Sequence, residues 1–299
     1  MVTYYTSQSI QIVAMSRNTW IFLSVFVLVA GGIFWYQYRY YRTPMVIESQ
    51  IAYQIVLGTA HKDDIPAIDK PVYESVGSAD AYLNDAGYGM IVKVGSRTRF
   101  YPFQILVWHE VVNETFNGRD LLVTFDPLTY TSAVYDRTDT FGVSGKLWNS
   151  NTLLYDRTTE SLWSQLRGEA IEGTLAGAKL TRYPSEVMTW AMFKTEYSSG
   201  QVLSRETGFD RDYTQDPYEG YYESVAIWFP LDHEDVRLSP KSLVFGVERE
   251  GRAMAFPVDS LEEFDTIQAI IEESDVLVPS YWFAWAAMYP QTQVYSSNE

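Results

Sequence analysis

From Asn18 to Tyr38, "NTWIFLSVFVLVAGGIFWYQY", 21 residues run without a charge. As a helix they would rise about 30 Å, the depth of a bilayer's hydrocarbon core. Trp20 near one end, and Trp35, Tyr36, Tyr38, Tyr40 and Tyr41 near the other, match interfacial aromatic belts, with Arg17, Arg39 and Arg42 just outside. A cleavable signal peptide would show a shorter apolar core and a small-residue cleavage site, whereas this stretch runs into bulky aromatics and arginines. The expectation is a retained, single-pass transmembrane helix over residues 18–38, with the lipid bilayer as a partner. A short tail (1–17) precedes it, and a juxtamembrane connector (39–60) leads to a folded body (61–299). The competing reading, a buried hydrophobic helix, finds no helical partners elsewhere in the chain to enclose it.

The body is acidic. Asp and Glu outnumber Lys and Arg 38 to 22, the formal charge is -16, and no basic block is visible, which argues against a nucleic-acid surface. With no cysteine, stability must come from the core rather than from disulfides, in whichever compartment the body lies.

The patterning points to a mainly β body with short helices, all-β or α+β. "GMIVKVGSRTRFYP" reads as two strands around Gly95-Ser96, with Pro102 limiting the second; "DLLVTFDPL", "SAVYDR" and "TLLYDR" read as further strands. The glycine-containing "TFGVSGKLWNSN" is expected as a turn separating the last two. Short helices are expected at "SADAYLNDA", "PSEVMTWAMFKTEY" and "SLEEFDTIQAIIEES". Two internal echoes suggest a duplication or reuse of one hairpin type: "VKVGSRTRFYPFQIL" resembles "VEREGRAMAFPVDSL", and "TWAMF" around Trp190 resembles "AWAAMY" around Trp285. No linker separates the halves, so a single β-rich domain is expected.

From about Asp64 onward the chain resembles the bacterial and archaeal family catalogued as domain of unknown function 3179. The likeness is carried in order by "DDIPAIDKP", "YPFQILVWHEVVNE", "VTFDPLTYT", "FGVSGKLWNSNTLLYDRTTESLWSQLRGEAIEG", "RDYTQDPYEGYY" and "FAWAAMYPQTQVY". The resemblance supplies no reaction, and it favours a body outside the cell membrane. Family members commonly carry a cysteine where this chain has Asp126. A carboxylate can ligate a metal but makes no disulfide and is a weak replacement for a thiolate nucleophile, so thiol chemistry is in doubt here.

Several residues are candidates for chemistry. His109 and Glu110 stand side by side but lack the second histidine of the zinc-helix signature. A divalent-metal site could draw on His109, Asp126 and the acidic stretch bearing Asp210, Asp212 and Asp216, although that stretch lacks the glycine and glutamate of an EF-hand. Ser144, flanked by glycines, supplies with His109 and Asp126 the atom types of a hydrolytic triad, with Glu110 beside them; a structural turn explains the same glycines. Asp156, Arg157, Trp163 and Gln165 could line a ligand cleft, Trp163 offering a platform for a carbohydrate ring, or could form a structural network. Asn113-Glu114-Thr115 matches a glycosylation acceptor. No organic cofactor is expected. The leading expectation is a membrane-anchored envelope or binding protein, with an envelope protein or carbohydrate as its partner. The alternative is a membrane-tethered metal-dependent or hydrolytic enzyme centred on His109.

Overall fold

The computed structural model describes residues 46–48, 54–249, 251–258 and 276–295. The expected transmembrane span at 18–38 and the expected helix at 260–274 lie outside the described residues. Among those described, no helix is long and apolar enough to cross a membrane.

The described chain is mainly β. It opens with β1 (Val46–Glu48), β2 (Gln54–Leu57), β3 (Tyr73–Ser75), α1 (Val76–Ala79), β4 (Tyr88–Val94), β5 (Arg97–Pro102) and α2 (Phe103–Leu106). The central run is β6 (Val111–Phe116), β7 (Arg119–Asp126), β8 (Thr131–Asp136), β9 (Phe141–Trp148), β10 (Asn151–Asp156), β11 (Leu162–Ser164), β12 (Glu169–Glu172) and β13 (Arg182–Tyr183). There follow β14 (Ser185–Thr189), α3 (Trp190–Glu196), β15 (Gln201–Leu203), β16 (Leu243–Arg249), β17 (Arg252–Pro257), β18 (Val278–Tyr281), α4 (Trp282–Met288) and β19 (Gln293–Val294).

Two sheets make the middle, in the orders β1-β2-β9-β10-β11-β12 and β13-β8-β7-β6. Their strands carry the alternating and β-branched runs expected of them, and the β6–β7 hairpin closes on Asn117-Gly118, both at positive φ (50 and 80), as a two-residue primed turn requires. Strands β1 and β2 fall in the stretch expected as connector, so the sheet takes in part of it. "TFGVSGKLWNSN" is not a turn but contains β9. A Cβ on Gly142 would lie 2.5 Å from the Tyr155 ring, and Gly145, at φ +75, sits where the β9–β10 register shifts, so these glycines serve close approach and a bulge.

Two further sheets repeat one design. In the first module β4 and β5 form a hairpin, β14 pairs antiparallel with β4, α3 follows, and β15 returns parallel to β5. In the second, β16 and β17, β18, α4 and β19 take the same places. The registers coincide: Thr189 pairs with Tyr88 as Tyr281 pairs with Leu243, and Gln201 with Arg99 as Gln293 with Met254. The hairpin echo seen in the sequence therefore has the structural alignment. The helix echo is displaced by three residues, because Trp190, first in α3, corresponds to Trp282, first in α4, rather than to Trp285. Only Trp190–Glu196 of the expected helix at 184–197 is helical. Residues 185–189 pair with β4 instead, and Thr189 caps the shortened helix by accepting from the Met192 N–H. Of "SADAYLNDA", only Ser78 and Ala79 lie in an α-helix.

Candidate functional site

Strand β7 ends in Phe125-Asp126, and side chains of successive strand residues face opposite ways. That alternation divides the middle of the protein into an aromatic cleft on one side and a sealed polar network on the other.

Asp126 is fully buried. Its Oδ1 accepts from the Leu128 N–H at 2.9 Å, and its Oδ2 accepts from Asn151 Nδ2 at 2.7 Å, Thr152 N at 2.9 Å and Thr129 Oγ1 at 2.9 Å. Asn151 in turn donates to Gln165 Oε1 at 2.9 Å, and Gln165 Nε2 to Thr124 Oγ1 at 2.8 Å. Burial pushes the Asp126 carboxyl up to about 6 against the pull of these donors. Nearby, burial first and the Asp126 charge second raise Glu110 well above the ordinary carboxylate range, and its Oε2 has no partner among the described residues. Burial of two adjacent carboxyls thus favours protonation of the pair.

The donors around Asp126 also shape the turn that follows it. They fix residues 126–131 so that Tyr130 takes φ 52, a conformation uncommon for a tyrosine, and its ring enters the cleft. Tyr130 stacks on Tyr281 with centroids 5.4 Å apart and meets Phe103, Phe125 and Tyr222 edge-on at 5.6, 5.5 and 6.0 Å. Thr131 Oγ1 reaches Ser280 at 3.1 Å, and the Tyr281 N–H donates to Thr129 O at 2.7 Å, which ties this turn to the second module.

Above that floor lies a cleft of about 960 Å³. Both modules wall it from matching positions: Tyr88 and Leu243, Phe103 and Val258, Val187 and Pro279. Asn84, Gln104, Thr214, Gln215 and Asp216 add the polar lining. A smaller recess lined by Thr214, Gln215, Asp216, Glu219, Tyr222 and Glu223 adjoins it.

The residues singled out in the sequence are mostly elsewhere. His109 is buried; its Nδ1 lies 2.8 Å from Pro66 O and its Nε2 2.7 Å from Tyr213 OH. A carbonyl only accepts, so Nδ1 carries the proton and Nε2 accepts from Tyr213. Burial lowers this histidine to about 4, so it is neutral at physiological pH. Ser144 donates to Leu153 O rather than facing an imidazole. The structure therefore engages Ser144, His109 and Asp126 separately, and Glu110 turns inward beside Asp126. Among the described residues no group of three or more His, Cys, Asp or Glu side chains could hold a metal ion. Asp212 instead accepts from Thr214, and Asp216 from the Tyr218 N–H, while Asp210 is exposed.

Asp156 accepts from Thr159 and from the Trp163 indole at 2.9 Å. Although burial opposes it, these donors leave its carboxyl below the usual range. Trp163 is buried edge-on to Phe141, Arg157 pairs with Asp69 at 2.6 Å, and Gln165 belongs to the Asp126 network, so the polar groups of these four residues are engaged within the protein and none of the four lines the cleft. Asn113 is also buried, and its amide donates to Asp69 and Phe141, which leaves no room for a glycan.

The cleft itself was missed in the sequence, although the aromatic-proline echo marks its edges: Pro102 lines it, as do Phe103 and Val258, the residues that follow the two prolines. No curated protein and no solved structure matches the chain. A family model described as protein of unknown function (DUF3179) matches residues 62–279, a span that holds the first module, all but the first two strands of the central sheets and most of the cleft, and the chain belongs to that family.

Proposed function

We propose that the chain is a ligand-binding protein whose cleft between the two modules takes a small organic molecule with flat apolar faces, tethered to the cell membrane by residues 18–38 with its body outside. The observation that carries this reading is the cleft. Its volume of about 960 Å³ suits a drug-sized ligand, its walls come from equivalent positions of two modules, and its floor is a cluster of rings held by a buried network. The tether rests on the uncharged stretch and its aromatic flanks.

Saturation-transfer NMR of the full chain against a panel of substituted phenols, indoles and oligosaccharides tests the reading. Val187→Trp, at a half-buried cleft wall, serves as the blocked control. Ring compounds should give transfer that the blocked variant loses while keeping the parent's melting temperature. Oligosaccharide binding alone would replace the flat apolar ligand with a sugar, and signals unaffected by the blocking residue would reject the cleft.

A further inference from the structure

Building on the cleft as a binding site, we infer that its ligand is an organic cation, an alkylated ammonium carried on an apolar ring. Ring faces carry negative quadrupole potential and attract cations, most strongly where water is excluded. Tyr88, Phe103, Phe125, Tyr130, Tyr222 and Tyr281 all line this one cavity. Among the described residues no lysine, arginine or histidine lines it, and the sole formal charge in its wall is Asp216.

Asp216 is suited to a counter-ion role. Its Oδ1 accepts from the Tyr218 N–H at 2.8 Å, which fixes the side chain, and no basic side chain pairs with it among the described residues. Its field reaches the floor of the cleft: after burial, the Asp216 charge contributes to raising the phenols of Tyr130 and Tyr222. Those rings stay neutral and face a negative potential that a bound cation would offset. An anionic ligand would meet Asp216 with no positive group in the lining to receive it.

Two probes of the same shape isolate the charge: (4-hydroxyphenyl)trimethylammonium and 4-tert-butylphenol. Titrated into the full chain by calorimetry, the cation is expected to bind about tenfold more tightly than its neutral counterpart. Asp216→Asn, at an exposed position, should bring the ratio of the two probes' affinities, measured in that same variant, close to one. Equal affinities in the parent, both lost in Val187→Trp, would overturn the cation preference and leave the cleft as a neutral site. Absence of binding by either probe, or binding indifferent to Val187→Trp, would overturn both readings.

Discussion

The two modules share the lengths of their hairpin strands and the registers around them, yet they fill their interiors in opposite ways. In the first, Gly89 makes room for Phe100: a Cβ there would lie 2.3 Å from the ring. The equivalent residues of the second are Val244 and Ala255, large where the first is small and small where it is large. One pleat further, Gly246 makes room for Trp285, with a Cβ only 2.2 Å from its ring, where the first module has Ile91 and Phe193. Backbone geometry is conserved because volume is exchanged across the packing layer, which is how close-packed interiors tolerate changed sequences. The helices differ as well. All seven residues of α4 are buried, whereas α3 exposes Met192 and pairs Lys194 with Asp80 and Asp85. The second module is built into the core, and the first lies partly at the surface.

The largest expected effect tests that asymmetry at one position. Met192 and Ala284 occupy the same place in the two helices, 43% exposed and fully buried respectively. Ala284→Glu buries a charge without a partner and should cost about 4 kcal/mol or prevent folding. Met192→Glu should change stability by no more than about 0.5 kcal/mol. Urea denaturation of the two variants decides the point, and equal losses would show that the helices are not differently seated.

A smaller effect sharpens the volume exchange. Gly246→Ile should cost about 3 kcal/mol, because the added atoms meet the Trp285 ring. Trp285→Phe should cost about 2 kcal/mol through the lost ring volume and the lost indole bond to Thr292. Together they install the first module's Ile and Phe, and the double variant should be at least about 1 kcal/mol more stable than the sum of the single losses. Strict additivity would mean that the two modules do not obtain their common geometry by exchanging volume.

How much of this was legible follows from the range of the interactions. The β4–β5 hairpin was legible because Gly95, alternation and Pro102 are local signals, and the echo in "VEREGRAMAFP" carried the correct register for the same reason. The helix echo slipped by one turn because α4 has tryptophan at both its first and fourth positions, so Trp190 found the wrong partner. Strand β14 was read as helix since its pairing with β4, nearly a hundred residues away, decides its conformation. His109 and Glu110 stood out as rare polar neighbours, but Glu110 takes φ 59, and the two side chains serve different parts of the interior. The cleft was not legible because Phe125, Tyr130, Tyr222 and Tyr281 converge only through sheet topology.

The smallest effect concerns how each module is fastened to the centre. The first is held through Glu114, buried on β6, which receives the hydroxyls of Tyr73 and Tyr101 and pairs with Arg99. The second is held through the Asp126 turn, with Glu110 beside it and no ion pair to either carboxyl among the described residues. Burial raises Glu114 to about 8 and Asp126 to about 6, and burial with the Asp126 charge raises Glu110 well above its ordinary range. A carboxyl raised on folding stabilises fully below its unfolded value and loses that contribution as pH rises through its folded value. Asp126 therefore acts mainly between pH 4 and 6. His109, lowered to about 4, opposes it there, since its contribution is lost as pH falls from about 6.5. Above pH 7 the histidine is neutral in both states, and Glu114 should lower stability by on the order of 1 kcal/mol between pH 7 and 8.5. In urea titrations over that range Glu114→Gln should flatten the fall, and His109→Gln should leave its slope alone. A fall that Glu114→Gln leaves unchanged would place the titrating group outside the first module's fastening. A parent profile that is level from pH 7 to 8.5 would show that Arg99 keeps Glu114 ionised, so that the first module's fastening does not respond to pH in that range.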